Sequence, residues 1–181
     1  CFVLFGQTAE EITDLEKQLE QTSGKERMQI LEQLATFYSD SLSEVAIGYT
    51  TQYVKLAELY ESLVDEARAY SIFGSIYLYQ VDYEKSLRSN LKAVGLYRLL
   101  GDSLNVYLHY YRAGNNYLFL HKPDSALIYT RKSCGYFNRK DLPQKLLAAR
   151  ILEGKILTRS NQYQKAVEKF KSILAGISDS T

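Results

Sequence analysis

The amino-acid sequence predicts an all-α fold, a solenoid of about four helix pairs preceded by an N-terminal helix. Three observations predict it. Only two prolines interrupt 181 residues, which leaves room for many helices and little for long irregular loops. Gly74, Gly114 and Gly154 recur forty positions apart, and the segments YSIFGSIYLYQVDYEKSL, YYRAGNNYLFLHKPDSAL and RILEGKILTRSNQYQKAV around them align without a gap. Within a unit, Tyr70, Phe73, Gly74 and Tyr77 step by three and four positions, the period of one helical face.

The elements follow in chain order. There is no initiator Met, so the chain reads as a processed or excised piece. Residues 1–8 open on the apolar run Cys1-Phe2-Val3-Leu4-Phe5 before Gly6. Three readings of this run stand side by side: the remnant of a secretory signal, a lipoprotein cysteine, which the four apolar residues after Cys1 fit less well, or a staple packed on the first helix. The first of these leans toward the periplasm or cell envelope. A charged helix is expected near residues 9–22, opening a single domain over 9–181. Helix pairs then fall at about 25–61, 64–101, 103–140 and 143–177. The first pair is degenerate: Leu31, Leu34, Ala35 and Tyr38 take the repeat's parts, and Ala46 follows Ala35 by eleven positions, as though the turn had lost one.

In the clean copies Ser86, Ala126 and Ala166 each follow their glycine by twelve positions. A mid-helix glycine costs roughly 1 kcal/mol against alanine, and a repeated cost needs a repeated reason. Close approach of the paired helix through these small residues is that reason. Tyr70, Tyr77, Tyr83, Tyr110 and Tyr117 are read as packing residues. The last helix carries Ala166, Val167, Phe170, Ile173 and Leu174 with no polar helix after it, so an uncovered apolar face is expected there, open to a further helix, a partner or a second copy.

Composition excludes more than it assigns. The chain is 46% hydrophobic and 24% charged, with 22 basic against 21 acidic residues, and no basic block stands out, so nucleic-acid binding has little support. No segment has the run of about 18 apolar residues that spans a bilayer. Cys1 and Cys134 are too few for a disulfide framework and too isolated for a zinc site. His109 and His121 lie twelve positions apart in no metal-ligand pattern, and no nucleophile or phosphate-loop motif occurs. His109 and His121 are expected as solvated or core residues, and Cys134, with no His nearby in sequence to activate it, as a buried or semi-buried thiol. No enzymatic activity, cofactor or metal is expected.

The aromatic, leucine, small residue and tyrosine on one helix, with a small residue on the next, resemble the tetratricopeptide repeat family over about residues 25–175. Asn90 and Thr130 stand where that family has an aromatic, and Arg150 and Glu153 replace apolar residues in the last copy. The forty-residue period exceeds the common one of about 34, implying a second helix longer by about one and a half turns. This long form is similar to repeats in bacterial signalling proteins, including peptide-responsive regulators and the sensor regions of Bacteroidetes-type envelope regulators, and the opening EEITDLEKQLEQTSGKERMQILEQLATFY looks like the start of those sensor regions. The resemblance implies a right-handed α–α superhelix whose first helices line a concave groove. Its groove residues would be Arg68, Ser71, Ser75 and Tyr79 in the second unit, Tyr111, Asn115 and Phe119 in the third, and Ile151, Lys155 and Arg159 in the fourth, with Glu32, Thr36 and Asp40 in the first. Aromatics beside amides and cations suit a protein or extended peptide. The carboxylate clamp of chaperone-binding members is incomplete, because Glu32, Ser71 and Ile151 occupy its places. The expectation is a protein- or peptide-binding module, the sensory or docking part of a longer signalling protein. Its alternative is a self-associating scaffold, homo-oligomeric through the C-terminal helix.

Overall fold

The computed structural model describes residues 9–178, which form nine helices and no strand. These are α1 (Ala9–Gln21), α2 (Gly24–Tyr38), α3 (Ser43–Leu59), α4 (Leu63–Tyr79), α5 (Tyr83–Leu99), α6 (Ser103–Phe119), α7 (Pro123–Arg139), α8 (Pro143–Arg159) and α9 (Tyr163–Ser178). The fold is the all-α helical repeat expected, four helix pairs behind one N-terminal helix. The readings placed on residues 1–8 lie outside the described residues. The chain divides after Leu100 into two compact units. In the first, successive helices pack on one another and α2 also lies beside α4; in the second, α6 to α9 pack in sequence and α6 lies beside α8.

From α3 to α8 every helix has 17 residues. Every connection between them has three, so the structural period is twenty positions, half the repeat. The extra length of the repeat is therefore shared by both helices of a pair and is not lodged in the second. The turns explain the regularity. Glu61, Val81, Gly101, His121, Asp141 and Asn161, each twenty positions from the next, all adopt positive φ between 51° and 70°. At five of these turns the following N–H reaches back five positions, as in Ser62 to the Ala57 carbonyl at 2.8 Å and Asp82 to that of Tyr77 at 2.9 Å. This is the Schellman closure of a helix end. The next helix starts at once. Ser62, Asp82 and Asp102 accept from the backbone N–H three positions on, while Pro123 and Pro143 open α7 and α8 where a missing N–H costs nothing.

The degenerate first pair departs differently from expectation. Its missing residue is lost from the helix, not the turn: α2 stops three positions past Ala35, where α4 runs five past Gly74, and residues 39–42 make a longer connection. Ser39 there keeps an ordinary right-handed φ of −60°.

The glycines mark where paired helices close up. A Cβ on Gly74 would stand 2.8 Å from Asn90 Nδ2, one on Gly154 would stand 2.5 Å from the Phe170 ring, and one on Gly114 would collide with Thr130 Oγ1. The direct neighbours are thus the residues sixteen positions on, while Ser86, Ala126 and Ala166 are buried beside them. Ser86 adds a hydrogen bond to the Gly74 carbonyl at 2.6 Å. Asn90 and Thr130, the departures from the family pattern, are the groups that fill the space over these glycines.

Each unit has its own core. In the first, Ile12 and Leu19 of α1 join Leu31 and Leu34 of α2 and Tyr53 of α3. Glu16 of α1 accepts from Tyr38 at 3.0 Å and Tyr49 at 3.2 Å, and Arg27 donates to the Leu19 carbonyl, which caps α1 and seats it. In the second, Leu127 of α7 packs with Leu152 and Ile156 of α8, and Tyr136 and Phe137 pack with Ala149. Glu153, which breaks the apolar pattern of α8, is buried between Arg131 at 2.8 Å and Lys169 at 2.9 Å. Burial pushes its carboxyl up, but the two cations outweigh that and hold it below the usual range.

Candidate functional site

The expected groove residues divide between the units. Arg68, Ser71, Ser75 and Tyr79 lie on α4, beside Glu32 and Thr36 on α2. The face they form is largely satisfied from within. Arg68 meets Glu32 at 3.4 Å. Ser71 Oγ donates to the Ala67 carbonyl at 2.8 Å and lies 3.4 Å from the Tyr97 hydroxyl of α5, so it turns toward its paired helix. Ser75 Oγ donates to the Ser71 carbonyl at 3.3 Å. Tyr79, at the C-terminal end of α4, is 58% exposed.

In the second unit Tyr111, Asn115 and Phe119 lie on α6, and Ile151, Lys155 and Arg159 on α8. The two rows run side by side. The Arg159 guanidinium lies 5.8 Å from the Phe119 ring centroid, a cation–π contact that joins their C-terminal ends. Tyr111 behaves otherwise. It is half-buried and packs against both cores of the unit, and burial raises its phenol above the usual value. Asn115 is half-buried with no hydrogen bond among the described residues, and Lys155 and Arg159 are exposed with no carboxylate partner there.

Electrostatics separates the units. Residues 1–100 hold nine basic and fifteen acidic side chains, net −6; residues 101–181 hold thirteen and six, net +7. The near-neutral total conceals two opposite net charges, although no contiguous basic block occurs in either unit. Helix α6 contains no acidic residue, and the one acid of α8, Glu153, is spent on its two buried ion pairs.

The other candidates settle into structure. His109 is buried, and burial, helped by Arg112, pushes its imidazole down to about 3. His121 is the exposed positive-φ residue of the α6–α7 turn. Cys134 is half-buried, and burial, helped by Glu153, pushes its thiol up to about 11, away from the thiolate a nucleophile needs. Among the described residues no three metal-binding side chains converge, and no helix is long and apolar enough to cross a membrane.

A second layer of the repeat escaped the sequence reading. Lys92 lies 5.4 Å over the Tyr70 ring and Lys132 lies 5.4 Å over that of Tyr110. Both partners recur at the repeat spacing, which was the available signal. The exposed stripe of α9 is narrower than expected: Ala166 and Ile173 are buried, while Tyr163, Val167 and Leu174 are open.

No family model and no curated protein matches the chain. Solved structures do. The apo form of RapI superposes with a TM-score of 0.83 at 16% identity, over 94% of this chain and 64% of that one. A Rap protein complexed with Competence and Sporulation Factor gives 0.77 at 20% identity, over 92% and 47%. A Podosopora anserina protein of nearly identical TPR-like repeats, assigned as a kinesin light chain, gives 0.80 at 14% identity, over 97% and 90%. The chain thus spans less than two thirds of the length of the two Rap chains. At these identities the likeness concerns the fold, which is TPR-like.

Proposed function

We propose that this chain is a non-catalytic protein- or peptide-binding module, the sensory or docking part of a larger bacterial signalling or regulatory protein. The observation that carries the reading is the α6–α8 face, where Arg159 meets the Phe119 ring, Asn115 and Lys155 stand four positions earlier on the same two adjoining helices, and the polar groups of Asn115, Lys155 and Arg159 have no hydrogen bond or carboxylate among the described residues. A ring, an amide and cations on a rigid helical surface supply contact area and orientation with little entropy to lose. The same fold carries a bound factor in the Rap complex. The long repeat's resemblance to bacterial sensor regions supports the signalling context.

The test is a pull-down from the source organism's extract with the wild-type chain and an Asn115→Ala/Phe119→Ala variant of the α6–α8 face. Tyr111 is left in place because it packs against both cores of its unit. A protein or peptide retained by the wild type and lost by the variant, at unchanged melting temperature, is the expected result. Equal retention by both sinks the assignment of this surface. Self-association is the second reading, and the exposed Tyr163, Val167 and Leu174 of α9 favour it.

A further inference from the structure

The chemistry of the docked partner follows from the charges of the second unit. Resting on the docking role proposed above, we infer that the α6–α8 face takes an acidic, extended polypeptide segment.

Helices α6 and α8 together carry five cations, Arg112, Lys145, Arg150, Lys155 and Arg159, against one carboxylate. That carboxylate, on Glu153, is only 7% exposed and bound to Arg131 and Lys169, so it cannot neutralise the outward face. On the α4 face of the first unit the one cation, Arg68, is answered by Glu32. Lys155 and Arg159 have no such answer among the described residues, and the field of a unit with a net charge of +7 reinforces them.

Spacing narrows the ligand further. Lys155 and Arg159 are four positions apart on one helix, a rise of about 6 Å. Alternate residues of an extended chain are about 6.6 Å apart on one side. An acidic residue at every second position therefore meets both cations. Asn115, on the adjoining helix, is placed to bond the ligand's backbone, and Phe119 to hold an apolar side chain between the acids. A nucleic-acid strand draws its affinity from many phosphate contacts, whereas this face offers two unanswered cations beside an amide and a ring.

The test is selection of a display library of random short peptides on the full chain, followed by anisotropy titration of the enriched peptides. The expected pool is enriched in Asp and Glu at alternate positions and binds more weakly at high salt. Its affinity drops about tenfold, or ~1.4 kcal/mol, for Lys155→Glu/Arg159→Glu. It is unchanged for Lys165→Glu/Lys171→Glu, which alters net charge equally on the exposed side of α9. Three results overturn the inference, besides indifference to the variants. One is a pool no richer in acidic residues than the input. Another is equal loss in the two double variants. The third is a random-sequence oligonucleotide that binds more tightly than the peptides and is released by Lys155→Glu/Arg159→Glu. A neutral pool whose binding is lost in Phe119→Ala removes the acidic partner and leaves the docking face standing; a pool indifferent to Phe119→Ala and Lys155→Glu/Arg159→Glu removes both.

Discussion

At the scale of single residues, the turns hold local strain. Val81 is β-branched, 62% exposed and held at φ 62°, a conformation that costs an ordinary residue about 1–2 kcal/mol. Glycine escapes that cost, at the expense of a more flexible unfolded chain. Val81→Gly is expected to raise stability by about 1 kcal/mol, read as an increase of a few degrees in thermal midpoint. His109 gives a pH-dependent counterpart. Its ring is buried and neutral, with its folded value lowered from 6.5 to about 3 by burial first and Arg112 second, while Asp102 opposes them. Because the folded value lies below the unfolded one, the unfolded chain binds the proton more readily. The ring's contribution is complete above pH 6.5 and is lost as the pH falls toward 3, by up to about 1.4 kcal/mol per pH unit. Denaturant melts between about pH 7 and about pH 4 should show this slope, and His109→Leu should flatten it whatever its effect on stability at neutral pH. A slope unchanged in the variant would assign the acid sensitivity to other groups. The sequence marked His109 as a core or surface residue; which of the two is decided by the side chains packed around it.

At the scale of helices, the pairs are set by how closely they approach. A methyl group on Gly114 would collide with Thr130 Oγ1 and lie 3.3 Å from the backbone of Ala126 and Thr130. The hydroxyl can give way; the backbone of α7 cannot move without disturbing its own hydrogen bonds. Gly114→Ala gains about 1 kcal/mol in helix propensity and loses about 1–3 kcal/mol to overpacking, so net destabilisation is expected. Adding Thr130→Ala should restore part of it, since the Thr130 hydroxyl is buried without a hydrogen bond among the described residues and is inexpensive to remove. Chemical denaturation of the single and double variants measures the coupling. Additive effects would mean that the two residues do not share this space. The glycine spacing was legible in the sequence because backbone closeness tolerates no side chain. The equal helix lengths were not, because the positive-φ turn residues are Glu, Val, Gly, His, Asp and Asn, six types with no common chemistry.

At the scale of the whole molecule, the two ends of the chain differ in character. The outward residues of α1 include Glu11, Asp14, Lys17 and Gln18, all polar. On α9 they are Tyr163, Val167 and Leu174. Leu127 and Cys134, which hold the positions of Val167 and Leu174 one repeat earlier, are shielded on α7, which packs against α8. An apolar stripe left open where the fold elsewhere covers it favours association. The chain is expected to show concentration-dependent dimers in sedimentation, and Val167→Glu/Leu174→Glu should hold it monomeric with its helicity intact. Dimers that persist in that variant would place the contact elsewhere. The opposite charges of the two units also belong to this scale. They were present in the sequence throughout, but a total of +1 hides them until the division after Leu100 shows where to count.

The sequence by itself determined that the chain is a helical repeat, how many pairs it holds and which face of each first helix approaches its partner. Those properties are written in spacing, and an α-helix converts spacing directly into direction. Only the tertiary structure decided that Asn90, Thr130 and Phe170 fill the space over the glycines, that Tyr111 is drawn into packing while Phe119 meets Arg159, and that Glu153 is neutralised from two neighbouring helices. These outcomes depend on where one helix crosses another and on which charges lose their water there, and no spacing along a single chain encodes either.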